Sequence, residues 1–218
     1  MIDKYIYDVI VPRYAEFDAA HREDHALTVI EQSMKLLDDM GQWISQSQSL
    51  EDKWLVEVDR NLLKMAAACH DLGLVNGRDN HHLDSGKIIR NDQNLRKWFT
   101  EQQIETIAQA AEDHRASGKS EPRTIYGKIV AEADRVIDSQ TIIRRTIQFG
   151  YKHYPGLSSE EHIDRAVSHL KEKYGRGGYL KLWIPWSDNA VRLSALQDII
   201  ADDHAIRAAV EEIMNNNN

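Results

Sequence analysis

The sequence predicts an all-α protein. Four prolines and eleven glycines interrupt its 218 residues, and between them the apolar residues recur at intervals of three and four, which is the period of a helix. A hydrophobic fraction of 42% lets a chain of this length bury roughly 70% of the surface that it exposes when unfolded. We therefore expect one folded domain that needs no disulfide framework.

The first two predicted helices carry side chains able to bind a metal ion. The first helix lies at about 23–41, with acidic residues at its start, a glycine at its end and His25 in its first turns. A second helix is expected at about 51–71. It ends in the pair His70-Asp71, just before a turn that contains two glycines.

The middle of the chain is expected to form shorter helices. These lie at about 84–91 and 94–99, and a longer helix follows at 101–115. After a break marked by glycine and proline, the apolar pattern resumes over 124–149, which is long enough for one helix or for a kinked pair. This segment carries Asp134.

The C-terminal part is expected to form two more helices. One lies at about 158–174, because Ser158 and Glu161 match the pattern of an N-terminal capping box. The other lies at about 187–214. The sequence shows no internal repeat and no linker between these helices and the preceding ones.

Composition and charge indicate the cellular compartment and the class of partner. The first residues lack the basic, apolar and small-residue pattern of a secretory signal, and the single cysteine, Cys69, cannot form an internal disulfide. No apolar run approaches the ~20 residues that cross a bilayer. The 27 Lys and Arg residues against 35 Asp and Glu residues give a formal charge of −8, which argues against nucleic acid as the main partner. We predict a cytoplasmic protein with a small-molecule partner and no membrane association, and the sequence leaves a homodimer open.

The pair His70-Asp71 is the strongest chemical signal in the chain. Adjacent side chains on a helix point about 100° apart, so both bind one ion only if other elements supply further ligands. His25 and Asp134 lie on amphipathic helices that can bring them to a shared interior seam. Two imidazoles and two carboxylates form a mixed nitrogen and oxygen set that suits Mn, Fe, Zn or Mg.

These motifs resemble those of the HD-domain superfamily of metal-dependent phosphohydrolases. The family signature is a histidine, a His-Asp pair and a distant aspartate, which here are His25, His70-Asp71 and Asp134 in the segments HREDHALTV, AACHDLG and AEADRVID. The resemblance covers about residues 17–150. It implies an HD-domain-like helical bundle, and we expect a C-terminal helical cap at about 151–214 within a single domain over 1–218.

The resemblance also implies a second metal ion. Relatives with two metals carry two more histidines, one four residues before a small residue and one at the end of a later helix. His82, four residues before Gly86, and His114 fill these positions, with His81 as the alternative to His82. By resemblance, the metal ligands are His25, His70, Asp71 and Asp134 for the first ion and His82 and His114 for the second, with Asp71 bridging the two.

The function that the resemblance implies is metal-assisted hydrolysis of a phosphate ester. One or two divalent ions (Mn, Fe, Mg, Co or Zn) would activate a water molecule, and Asp71 would be the central catalytic residue. The substrate class is a small phosphorylated metabolite, with a nucleotide expected, cleaved as a phosphomonoester or a phosphodiester. Arg78, Lys87 and Arg115 lie in or beside the motif segments and are expected to hold the phosphate.

One position departs from the family, and two other functions stay open. Many relatives carry a lysine three residues after the motif aspartate, where this chain has Leu74, so the role of that lysine does not carry over. A di-iron HD-fold oxygenase would use the same ligands on dioxygen. A non-catalytic signalling module would bind a nucleotide without turnover.

Overall fold

A computed structural model describes residues 1–18, 21–46, 57–115, 120–135 and 137–215. The regular structure in these ranges is entirely helical, which confirms the all-α prediction. The contacts divide the chain into two compact units, which are Met1–Arg135 with Trp183–Ser187, and Val136–Leu182 with Asp188–Asn218. The single domain over 1–218 stays a prediction. Among the described residues, no helix has the length and apolar character needed to span a bilayer.

The first unit is built around one short helix whose second half is buried. Its α-helices are α1 (Ile2–Tyr5), α2 (Glu23–Gln46), α3 (Arg60–Cys69), α4 (His81–Asn91), α5 (Glu101–Asp113) and α6 (Ile125–Asp134). Helix α3 packs against α2, α5 and α6. It carries the run 65–69, in which small side chains let the neighbouring helices approach closely. The end of α3 therefore delivers His70-Asp71 to the interior of this unit.

Side-chain caps fix where these helices start. The Asp59 carboxylate accepts from the backbone N–H groups of Asn61 and Leu62, so α3 begins at Arg60 and not at about 51. The expected start of that helix, at 51–56, lies outside the described residues. Helix α5 begins at a capping box formed by Thr100 and Gln103.

Helix α2 runs past its predicted end at Gly41 to Gln46. The reason is tertiary packing, because the Trp43 ring lies 5.0 Å from the Trp186 ring. The Trp186 indole N–H donates to the Leu36 carbonyl oxygen at 2.8 Å. These contacts stabilise the last turns of α2, and the glycine is tolerated as an interior helical residue.

The N-terminal segment 2–14 is helical, although the first helix was predicted only at about 23–41. It continues from α1 through a π-helical turn (Ile6–Ile10) and a 3₁₀ turn (Val11–Tyr14). Ile6, Ile10 and Tyr14 are fully buried. Their spacing of four residues is the signal that could have revealed this segment.

Gly73 allows α4 to pack against the segment that follows His70-Asp71. A Cβ atom at this position would lie 2.0 Å from the His81 carbonyl oxygen and 2.4 Å from the Ser85 nitrogen, both backbone atoms. The Gly73 N–H donates to the Ser85 hydroxyl at 2.8 Å. The first turn of α4 is thereby held close to Asp71.

We expect Gly73→Ala to lower the free energy of unfolding by roughly 1–3 kcal/mol, because the added methyl group forces backbone atoms apart. Gly41→Ala is the matched control, since nothing lies within 4 Å of a Cβ there. Replacing that interior helical glycine should raise the free energy of unfolding by roughly 0.5–1 kcal/mol. Urea denaturation followed by circular dichroism measures both. A Gly73→Ala protein as stable as wild type would contradict the close approach of α4.

The second unit is also helical. Its helices are α7 (Ser139–His153), α8 (Ser159–Tyr174), α9 (Asn189–Ala201) and α10 (Asp203–Asn215). The predicted capping box of α8 is confirmed at Ser158 and Glu161. The segment 124–149 forms two helices, which was one of its two predicted forms, and the single helix predicted at 187–214 is divided in two; an aspartate caps the second helix in each case. Asp138 accepts from the Thr141 N–H at the start of α7, and Asp202 accepts from the His204 N–H at the start of α10.

Candidate metal centre

Four histidine side chains meet in the first unit with their Nε2 atoms facing one another. His25 lies in the first turn of α2, and His70 directly follows α3; their Nε2 atoms are 3.3 Å apart. His81 begins α4, and His114 directly follows α5; their Nε2 atoms are also 3.3 Å apart. The four imidazoles therefore form two pairs, and each pair directs its nitrogens into a common space.

Backbone carbonyl groups fix the tautomer of three of these rings. The Nδ1 atoms of His70, His81 and His114 lie 2.8, 2.7 and 2.5 Å from backbone oxygens three residues earlier. These oxygens belong to Ala67, Arg78 and Ala111. A carbonyl oxygen only accepts, so each Nδ1 carries the hydrogen, and each neutral ring presents a lone pair at Nε2. Two such lone pairs cannot hydrogen-bond each other, but both can bind a cation.

Asp71 lies between the two histidine pairs. Its Oδ2 atom is 3.2 Å from His70 Nε2 and 3.7 Å from His25 Nε2. Its Oδ1 atom is 3.2 Å from His114 Nε2 and 3.4 Å from His81 Nε2. Oδ1 is buried and has no hydrogen-bond donor. One carboxylate thus offers one oxygen to each pair.

Asp134, the last residue of α6, completes the first set of ligands. Its Oδ1 atom lies 3.2 Å from His25 Nε2 and 4.0 Å from His70 Nε2. We call His25, His70, Asp134 and the Oδ2 atom of Asp71 the first donor group. The second donor group consists of His81, His114 and the Oδ1 atom of Asp71.

Both carboxylates are ionised at neutral pH. Burial alone raises the pKa of Asp71, but the facing His70 and His114 outweigh it when they are protonated and hold the pKa well below the usual range. Burial also raises the pKa of Asp134, and the hydrogen bond with His25 together with His70 brings it well below the usual range. The centre therefore presents anionic oxygens together with imidazole nitrogens.

This donor set fits divalent metal ions. Each group combines at least two imidazoles with a carboxylate oxygen. The candidate ligand atoms of His25, His70 and Asp71 lie within 4.8 Å of one another, and so do those of Asp71, His81 and His114. The mixed chemistry suits Mn, Fe, Co or Zn better than Mg, which prefers an all-oxygen shell. The buried Oδ1 atom of Asp71 that lacks a donor is the kind of atom that a cation would satisfy.

The structure places His81, and not His82, in the second donor group. Consecutive residues on α4 point about 100° apart, so only one of the two rings can face Asp71. The buried small residue that lets α4 approach Gly73 is Ser85, four residues after His81. Gly86 instead makes room for Glu112, because a Cβ atom at position 86 would lie 2.4 Å from Glu112 Oε1. The sequence pointed to His82 through Gly86 and kept His81 as the alternative; the structure brings His81 together with Asp71 and His114.

His82 lies beside the centre without joining it. Burial, with the nearby charge of Arg115, lowers its pKa to about 4. The ring is therefore neutral at neutral pH. Its Nδ1 atom is buried without a hydrogen-bond partner.

Two of the three predicted phosphate-binding residues lie next to the donor groups. Arg115 directly follows His114 and donates to the Asp79 carbonyl oxygen at 2.7 Å. Arg78 supplies the carbonyl that orients His81, and its exposed guanidinium pairs with Asp18 at 3.3 Å. Asp18 in turn lies 2.8 Å from the Nδ1 atom of His21, whose ring meets the His25 ring edge to face at 5.6 Å.

Lys87 lies elsewhere. It pairs with Asp84 at 2.8 Å and lines a surface cleft of about 480 Å³ together with Tyr5 and Arg13. None of the donor-group residues lines this cleft. Lys87 follows His81 by six residues, which turns it roughly 240° around the axis of α4 and away from the centre.

Cys69, next to His70, is buried as expected for a small core residue. Burial raises the pKa of its thiol to about 12, so the thiol stays protonated. Its Sγ atom lies 3.7 Å from the Met65 sulfur. It therefore offers no nucleophile to the neighbouring centre.

Sequence reasoning missed one residue that contacts the centre. The Tyr14 ring is fully buried, and its hydroxyl bonds to the backbone around His70. The spacing of Ile6, Ile10 and Tyr14 marks this residue as buried, but nothing in that pattern indicates which backbone groups the hydroxyl meets.

Comparison with protein families places these residues in a known group. The family model described as HD domain matches residues 22–137, which is more than half of the chain and includes both donor groups. Comparisons with curated proteins and with solved structures find no match. HD domains are mostly metal-dependent phosphohydrolases. From the matched range, and from the order of His25, His70-Asp71 and Asp134 along it, we conclude that this chain belongs to the HD domain family.

Proposed function

We propose that this chain is a metal-dependent phosphohydrolase that cleaves a phosphate ester of a small phosphorylated metabolite, with nucleotides as the first class to test. The observation that supports this proposal is the position of Asp71, which turns one carboxylate oxygen toward each donor group. A buried carboxylate shared between two sets of imidazoles suits two divalent ions that act on one phosphoryl group.

The proposed ligands follow the two donor groups. His25, His70 and Asp134 would hold one ion and His81 and His114 the other, with Asp71 bridging them. When bound, divalent ions supply a hydroxide nucleophile near neutral pH and offset the charge that builds on a phosphoryl group.

The chain itself contributes fixed geometry. The carbonyl acceptors of Ala67 and Ala111 hold the rings of His70 and His114 in one tautomer and one orientation. These two rings do not have to reorient before they bind an ion, so this part of the site is organised in advance.

We propose Arg115 and Arg78 as the residues that hold phosphate oxygens. A guanidinium group matches the oxygens of a phosphate with two parallel hydrogen bonds. The pair between Arg78 and Asp18 is solvent-exposed and therefore weak, so a phosphate can replace Asp18 at little cost. We do not assign a phosphate-binding role to Lys87, because it lines the separate cleft.

We expect purified protein to hydrolyse an aryl phosphate or an aryl phosphodiester, and then one class of nucleotide, in the presence of Mn²⁺ or Co²⁺. Activity should disappear with a chelator and return when the metal is restored, because the bound ions supply the hydroxide nucleophile. His25→Ala should abolish it. His204→Ala is the matched control, since that side chain is exposed in the second unit.

Three outcomes would contradict the proposal. Equal activity in His25→Ala and His204→Ala would point to a contaminating phosphatase. Oxygen uptake by iron-loaded protein without phosphate release would support a di-iron oxygenase. Nucleotide affinity unchanged by chelator, with no turnover under any metal, would support a binding module.

A further inference from the structure

We propose that Tyr14 is a positioning residue of the metal centre, whose hydroxyl fixes the backbone at the end of α3 so that the Asp71 carboxylate lies between the two donor groups. This inference rests on the proposed function. Tyr14 lies outside residues 22–137, the range that the HD family model matches. The N-terminal segment 2–14 would thereby belong to the functional site.

The hydroxyl of Tyr14 makes two hydrogen bonds with the backbone around His70. It donates to the Ala68 carbonyl oxygen at 2.8 Å and accepts from the Asp71 N–H at 3.2 Å. The last carbonyl groups of a helix have no partner within the helix, and here the chain also leaves helical geometry, with φ −108° and ψ 9° at Asp71. The tyrosine thus acts as a side-chain cap at this helix end.

Bulk solvent does not reach this hydroxyl. Tyr14 and His70 are 0% exposed and Asp71 is 2% exposed. A buried backbone group without a hydrogen-bond partner is destabilising. Removing the hydroxyl therefore leaves the Ala68 carbonyl and the Asp71 N–H without this partner, and we expect the backbone between them to shift.

The direction of the Asp71 carboxylate depends on its backbone. Its Oδ1 atom has no hydrogen-bond donor, so no side chain of the described residues ties that oxygen in place by a hydrogen bond. A small rotation of the backbone would turn one oxygen away from His81 and His114 while the other stays near His70. The second donor group should therefore be more sensitive to Tyr14 than the first.

Tyr14 is itself held rigidly. It ends the 3₁₀ turn Val11–Tyr14, and its ring meets the Phe17 ring edge to face at 5.3 Å. The buried Ile6 and Ile10 anchor the preceding turns of the segment. These contacts do not involve the hydroxyl, so a phenylalanine at position 14 should keep the segment in place.

The test compares Tyr14→Phe with Tyr5→Phe. Tyr5 lies in the same N-terminal segment and also donates a hydroxyl hydrogen bond, to Asp92 at 2.5 Å, but it does not contact the centre. Each protein is loaded with Mn²⁺, the bound ions are counted, and electron paramagnetic resonance reports whether two ions are magnetically coupled. Circular dichroism checks that both variants are folded.

We expect Tyr14→Phe to bind the second Mn²⁺ about 10- to 100-fold more weakly, as loss of a partner behind a metal ligand typically does. The coupled signal should give way to that of isolated ions, and kcat should fall while KM changes little. Tyr5→Phe should match wild type in all three. Tyr14→4-aminophenylalanine, whose amino group can still donate to the Ala68 carbonyl oxygen, should restore part of the coupled signal.

A coupled pair of ions in Tyr14→Phe, at wild-type affinity, would overturn the inference. The inference would also be overturned if the 4-aminophenylalanine variant restored none of the coupled signal. If wild type binds a coupled pair but hydrolyses nothing, the proposed function fails while the comparison of the two variants still decides the role of Tyr14. If wild type binds no pair at all, both proposals fail.

Discussion

Asp71→Asn should reduce the bound metal to one ion or none per chain and lower kcat by ~10³-fold or more, which corresponds to ~4 kcal/mol of activation free energy. The asparagine keeps the shape of the side chain but retains only one oxygen. Asp71 directs Oδ2 toward His70 and Oδ1 toward His114, so the substitution removes a ligand atom from one donor group and the negative charge from both.

The matched control is Asp84→Asn. Asp84 lies on α4, pairs with Lys87 and lines the surface cleft rather than the centre. Metal analysis of both variants, together with hydrolysis of the best substrate from the screen, measures the effect. An Asp71→Asn protein that keeps two ions and wild-type turnover would show that the carboxylate does not bridge.

His81→Ala should lose the second ion and most of the activity, whereas His82→Ala should keep both ions and turn over at close to the wild-type rate. His81 Nε2 lies 3.4 Å from Asp71 Oδ1 and 3.3 Å from His114 Nε2. We expect at least a ~100-fold loss of kcat in His81→Ala, because a missing ligand costs at least as much as a missing partner behind a ligand.

The two variants control for each other, since they change the same side chain at adjacent positions of α4. Metal content and kcat under saturating Mn²⁺ decide between them. The opposite ranking, with His82→Ala losing the ion, would contradict the place of His81 in the second donor group.

The motif residues of the first donor group came from the resemblance to HD domains, and the structure brings them together. His25 follows the acidic start of α2, His70-Asp71 follows α3, and Asp134 ends α6. Sequence signals marked the start of α2 and the end of α3 to within a few residues, but the end of α6 fell inside the segment predicted at 124–149. The all-α class followed from the helical period of the apolar residues, and the family match confirms the resemblance.

The choice between His81 and His82 could not be made from sequence. It depends on which small residue of α4 meets Gly73, and both Ser85 and Gly86 are small. The contact is a tertiary one, set by the close approach of the two backbones. A shift of one residue on a helix turns the side chain by about 100°, so a small ambiguity in position becomes a different ligand.

Tertiary contacts explain the other differences as well. Lys87 is close to the motif in sequence, but its position on the helix turns it toward a different cleft. Helix α2 continues past Gly41 because Trp186, distant in sequence, packs on its last turns. Tyr14 is buried by a pattern visible in the sequence, while the partners of its hydroxyl depend on where α3 ends.

Anomalous diffraction from crystals grown with Mn²⁺ tests the central claim most directly. We expect two peaks in the first unit, one bounded by His25, His70 and Asp134 and the other by His81 and His114, with one oxygen of Asp71 on each. A single peak, a peak bound by His82, or an Asp71 carboxylate that touches only one ion would contradict the shared carboxylate on which the hydrolase proposal rests.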